Sequence, residues 1–242
     1  MRTRRLKRLP ESLLVLAVVL SCACASISGT DIKKSQYHYQ LGISYLNENN
    51  VQPAFVELQK ALKLNPGDKE IHHVLGIIYL EKLEDYARAI EHFEKAFAID
   101  RNYSSAATNL GITYAKMGEY DKAIESYKKA LSNPQYENAA MALYNLGMVH
   151  YRLSRLDEAI SSFKEALKRH ADFPAPYYGL ALAYNAKGQY GEAATAMRRA
   201  IDLDPLYQGD TGKARADLRN QQIRAAGEQL KDIADYLDII QY

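Results

Sequence analysis

From Ser35 to Pro205, large apolar and small residues recur three or four positions apart with polar residues between them, the spacing of amphipathic helices. The runs come in pairs. Tyr39 to Leu46 belongs to a first helix, and Pro53 to Leu64 forms a second after a short break. Small residues such as Gly42, Ala54 and Ala61 let paired helices approach closely, while Leu41, Tyr45, Leu58 and Leu62 fill the space between pairs. Pro66 and Pro205 stand where a helix cannot continue. The pair then repeats. Its clearest copy reads Leu110-Gly111, Tyr114, Ala123, Tyr127, Ala130, and the small anchor falls at Gly42, Gly76, Gly111, Gly147 and Ala181, giving spacings of 34, 35, 36 and 34 residues. A period of this size predicts a stacked solenoid of helical hairpins, in which no single hairpin buries its apolar face and only the stack makes a core.

The repeated pattern resembles the tetratricopeptide family over residues 35–205, in five copies at 35–68, 69–103, 104–139, 140–173 and 174–205. The resemblance implies an all-α, tetratricopeptide-like solenoid of five hairpins. The position where that family often carries tryptophan holds His38, His72, Ala107, Leu143 and Tyr177, so the repeats are divergent. Residues 206–242 do not continue the repeat. There Leu218, Ala226, Leu230, Ile233, Leu237 and Ile240 form one amphipathic stripe, backed by Gln221, Gln222, Arg224, Glu228, Lys231 and Asp235. This predicts a capping helix with a wet outer face, the alternative being an attachment site for another subunit.

At about 100° per residue, the first helix of each pair presents two stripes. In a tetratricopeptide-like stack one of them lines the concave wall. In this chain that stripe carries Ile43, Ile77, Ile112, Met148 and Leu182 at equivalent positions, with Tyr39, Leu46, His73, Leu80, Tyr144, Tyr151 and Tyr178 nearby. Family members that clamp a terminal carboxylate use Lys, Arg and Asn there. Here Lys116 and Arg152 stand only at the edge. The row therefore suits an amphipathic helix or an extended apolar segment anchored on aromatic side chains. The competing expectation is that neighbouring repeats or the chain's own C-terminus fill it.

The first residues read differently. Arg2, Arg4, Arg5, Lys7 and Arg8 precede an apolar run from Leu13 to Leu20, which exits through Ser21-Cys22-Ala23-Cys24-Ala25. This is the layout of a secretory signal peptide over residues 1–21, and the apolar stretch is short for spanning a bilayer of about 30 Å. Val19-Leu20-Ser21-Cys22 resembles a bacterial lipobox, which makes Cys22 the lipidated residue, although Leu20 is not the small residue usual at its place. Ala23-Cys24-Ala25 also reads as an ordinary cleavage site that would release a soluble periplasmic chain. With lipid on Cys22, residues 22–34 are expected as the acylated end and a tether, residues 24–34 reaching at most about 36 Å. Ala23 after the cysteine implies sorting to the outer membrane, facing the periplasm.

Loss of residues 1–21 removes five positive charges and one negative, taking the formal net charge from +2 to −2. The mature body has mixed-sign helix faces and lacks the basic footprint that nucleic acid requires. His72, His73 and His92 share one repeat without an acidic or cysteine partner at metal-ligand spacing, so no metal or other cofactor is expected. Asp121, Asp157 and Glu158 open second helices, where negative charge suits the helix dipole, and are not read as a general acid and base. No catalytic residue and no small-molecule substrate is indicated.

Between the third and fourth repeats, Ala130 to Asn138 carries two extra residues. With the lipobox and the early stretch Tyr39-Gln40-Leu41-Gly42-Ile43-Ser44-Tyr45-Leu46, this insertion is similar to that of the type IV pilus biogenesis and stability lipoproteins, the pilotin class. The resemblance implies a non-catalytic, membrane-anchored protein that binds a secretin subunit and aids its assembly in the outer membrane. The alternative is a general periplasmic scaffold for envelope proteins or murein enzymes.

Overall fold

The computed structural model describes residues 28–242, which form twelve α-helices and no strand. The signal segment and Cys22 lie outside the described residues. Two compact units meet at residues 67 and 68.

The first unit is one hairpin, α1 (Gly29–Asn47) and α2 (Val51–Leu64). Helix α1 starts earlier than the tether expected over residues 22–34, because Ser28 caps it. The Ser28 Oγ accepts from the Asp31 amide at 3.1 Å, and Asp31 sits in the positively polarised first turn. Residues 29–34 are thus helical rather than extended. Leu58 packs where Gly42 has no side chain; a Cβ there would come 2.8 Å from its Cγ. Buried Ser35 donates to the Ala61 carbonyl at 2.8 Å, and Glu57 holds His38 and Lys60, each at 2.6 Å. The hydrogen bonds from Lys60 and His38 hold the Glu57 carboxyl below its usual range.

The second unit stacks four hairpins: α3 (Lys69–Glu81) with α4 (Tyr86–Ile99), α5 (Ser104–Lys116) with α6 (Tyr120–Leu131), α7 (Ala139–Arg152) with α8 (Leu156–Arg169), and α9 (Pro174–Ala186) with α10 (Tyr190–Leu203). Each second helix packs on the next first helix, α4 on α5, α6 on α7 and α8 on α9. The core of each hairpin is one large side chain from its second helix, Phe93, Tyr127, Phe163 or Met197, each at most 1% exposed. Gly76, Gly111 and Gly147 lie directly against the first three of these rings. Burying such a side chain stabilises by about 1.5–3 kcal/mol.

The turn inside each hairpin needs one residue in the left-handed region. Gly118 and Gly188 take it at no steric cost, but Glu84 and Ser154 occupy the same place with φ of 50° and 57°. Asp68 and Asp85 cap α3 and α4 with their side chains. Where α6 and α8 lack such a cap, Asp121, Asp157 and Glu158 stand in the first turn, facing the helix dipole. The two-residue insertion before α7 is pinned to the preceding repeat. Asn133 donates to the Asn102 carbonyl at 3.1 Å, and the Tyr136 and Thr108 hydroxyls are 3.0 Å apart.

The C-terminal segment departs from the single capping helix. It forms two helices, α11 (Thr211–Gln222) and α12 (Gly227–Ile239), because Ala226 is extended and Gly227 turns left-handed at φ 55°. Asp210 caps α11 at the Lys213 amide, and Ala214 and Leu218 are buried against the stack. The stripe read across residues 218–240 therefore breaks at the turn, and its second half buries Ile233 and Ile239 from a separate helix.

Candidate partner-binding face

The first helices of the second unit approach one another directly, α3 to α5, α5 to α7 and α7 to α9, and so form a continuous wall. Its two ends differ. Over α3 and α5, Ile77 and Ile112 are half-buried and reach the surface. His73 is not a free contact residue. Asn109 Nδ2 donates to its Nε2 at 2.8 Å, which leaves the Nδ1–H to donate to the Tyr103 hydroxyl at 3.0 Å. Burial lowers its pKa to about 4, so the imidazole is neutral at neutral pH and knits α3 to α5. Leu80 is 3% exposed and belongs to the packing of the wall rather than to its surface. A 100° stripe orders side chains around a helix but does not report how far adjoining helices cover them.

At the other end, α12 lies on the wall. Tyr144, Met148 and Tyr178 are partly buried, and Tyr151 and Leu182 fully buried, in one cluster with Ile233, Ile239, Tyr236, Leu237 and Ile240. Tyr178 and Tyr236 meet edge to face with centroids 5.6 Å apart. Arg152 extends from α7 to both carboxylate oxygens of Asp232, with Nη1 to Oδ1 at 2.7 Å, while its Nε stands 2.9 Å from Glu228. The Asp232 hydrogen bonds hold the guanidinium above its ordinary pKa. Burial first, then the charges of Asp232 and Asp235, pushes the Tyr151 phenol up to about 12. Beyond the start of α12, a cavity of about 260 Å³ opens among Ile112, Lys116, Asn145, Met148 and Glu228.

The expected row is thus brought together in the second unit but half covered by the chain's own C-terminus, the competing expectation of the sequence. Tyr39, Ile43 and Leu46 are half-buried on α1, in the first unit. Sequence reasoning placed Arg152 at the edge and Glu228 on the wet face, and so missed the α12 anchor. Its trace is the spacing of Glu228, Asp232 and Tyr236, four apart on one helical face. Among the described residues no cluster of three His, Cys, Asp or Glu forms a metal site, and no helix is long and apolar enough to cross a membrane.

Family models described as tetratricopeptide repeat match residues 35–68 and, in overlapping segments, 71–135, 103–172 and 138–205. The chain belongs to the tetratricopeptide-repeat family. Proteins built from tetratricopeptide repeats are generally non-catalytic scaffolds that bind other proteins. The chain is similar to the type IV pilus assembly protein PilF of Pseudomonas aeruginosa, 29% identical over 108 residues, 45% of this chain and 42% of that protein. The match thus spans less than half of that relative. Solved structures that share the fold include two from type IV pilus proteins. The structure of Pseudomonas aeruginosa PilF aligns with a TM-score of 0.67 at 20% identity, covering 86% of this chain and 90% of that one. PilW, a widely conserved type IV pilus biogenesis factor, aligns at 0.68 and 19%, covering 85% and 90%.

Proposed function

We propose that this tetratricopeptide protein is a lipid-anchored binding factor that aids assembly of an outer-membrane secretin in type IV pilus biogenesis. The observation that carries the binding role is the apolar first-helix row, in which Ile77, Ile112 and Met148 stand where a carboxylate clamp would need Lys and Asn. Such a row is suited to an apolar or amphipathic segment, held by side-chain burial rather than by capture of a chain end. The cavity beside Ile112 and Lys116 offers that segment an entrance. Similarity to PilF, named for type IV pilus assembly, supports the process. The basic start, short apolar run and Cys22 support an acylated N-terminus at the periplasmic face of the outer membrane.

The discriminating experiment is affinity capture from detergent-solubilised membranes with the tagged, full-length chain. Enrichment of a secretin subunit is the expected result. Recovery of murein enzymes or of many unrelated envelope proteins would instead identify a general periplasmic scaffold.

A further inference from the structure

Helix α12 does more than close the stack. A cap has only to cover the last hairpin, whereas α12 turns back at Gly227 and runs along the first-helix wall as far as Arg152 on α7 and Tyr120 on α6. Its contacts are those of a bound ligand. Asp232, 8% exposed, takes the two-pronged grip of Arg152; Glu228 accepts from Arg152 Nε at 2.9 Å and from the Tyr120 hydroxyl at 3.2 Å. Ile233 is buried beside them, and Tyr236 packs edge-on against Tyr178.

We propose that the wall formed by α7 and α9 is a docking site for an acidic amphipathic helix, and that α12 is its resident, exchangeable occupant. The partner helix carries two carboxylates four residues apart, with an isoleucine and an aromatic on the adjoining positions, as Glu228, Asp232, Ile233 and Tyr236 do. Charge complementarity selects it, because a helix without the carboxylates would leave Arg152 desolvated and unpaired.

Three features make the occupant exchangeable. Only two of its apolar side chains, Ile233 at 3% and Ile239 at 1%, are fully buried, while Leu230 is 39% exposed. A helix of 13 residues is marginal by itself, so leaving the wall and unwinding are one event. The hairpins from α3 to α10 keep their own core when it leaves, since in a solenoid each hairpin depends on its neighbours only. The short tether gives α12 an effective concentration on the order of millimolar, which shuts the wall to weak ligands and admits strong ones. This concerns the same face as the proposed partner site but not the partner's identity, and its test contains no secretin.

The probe is a fluorescent peptide of residues 227–242, titrated with the full chain and with a full chain carrying Asp232→Lys and Ile233→Asp, which spoil its own occupant and leave the wall untouched. The peptide is expected to bind the variant at least tenfold more tightly than wild type, and Arg152→Glu added to the variant is expected to reverse this. Hydrogen exchange on the wild type supplies a readout independent of how well the variants fold. Amides of α12 should exchange at least tenfold faster than those of α7 to α10. A helical variant that binds the peptide no better than wild type, or α12 amides protected as strongly as the core, overturns the proposal.

Discussion

Phe163 on α8 fills the space that Gly147 on α7 leaves empty: a Cβ there would come within 2.5 Å of its Cε1. Gly179, on the following hairpin, lies against the same ring at the same distance. One aromatic side chain thus sets the approach within its own hairpin and to the next, and glycine is required on both sides because the ring is fully enclosed and cannot yield.

The same arrangement at Gly111 and Tyr127 makes Gly111→Trp disruptive. Overpacking at such a seam costs about 1–3 kcal/mol, and a full indole should exceed that range. Thermal melting followed by circular dichroism should show a helical protein with a clearly lower midpoint. An unchanged midpoint would mean that Gly111 is outside the packed seam.

Glu84 and Ser154 occupy left-handed turns that Gly118 and Gly188 take elsewhere in the stack. A left-handed conformation costs a residue with a side chain about 1–2 kcal/mol, part of which glycine returns as chain entropy lost on folding. Glu84→Gly and Ser154→Gly are each expected to stabilise by about 0.5–1 kcal/mol. Chemical denaturation should show a raised midpoint with an unchanged slope.

His73 couples stability to pH. Its folded pKa of about 4 lies below the ordinary 6.5, so the folded state binds fewer protons between those values. The stability it contributes is complete above pH 6.5 and is lost as pH falls towards 4, amounting to about 2 kcal/mol by pH 5. His92, lowered by burial and by its neighbour His72, acts in the same direction. Denaturation midpoints between pH 7 and pH 4.5 should fall steeply in the wild type and less steeply in His73→Gln.

For partner binding, Ile77→Asp and Ile112→Asp each place an unpaired charge on the open part of the wall. Ile43→Asp places one on α1, in the first unit. Each should weaken binding of the captured partner by roughly 2–4 kcal/mol, while Glu91→Lys on the exposed side of α4 should change little. Calorimetry on the lipid-free domain separates recognition from membrane targeting. Wild-type affinity in both Ile77→Asp and Ile112→Asp would remove this face as the site.

At the N-terminus, mass spectrometry of the mature protein should find acyl chains on Cys22. An unmodified chain beginning at Ser26 would show cleavage after Ala25 instead.

The sequence by itself determined the repeat, its length and its small-residue anchors, because each hairpin depends on residues three or four apart and on its immediate neighbour, and both kinds of contact leave a period. Gly76, Gly111 and Gly147 are legible for that reason. Only the tertiary structure decided which part of the inner row is open. Asp232 meets Arg152 across 80 residues, in a contact made once and repeated nowhere. No periodicity records it. The break at Ala226 and Gly227 was equally hidden, since the stripe from Leu218 to Ile240 keeps helical spacing straight through the turn. His73 stood in the expected row, but its hydrogen bond with Asn109 joins residues of successive repeats, and that pairing exists only once the hairpins have stacked.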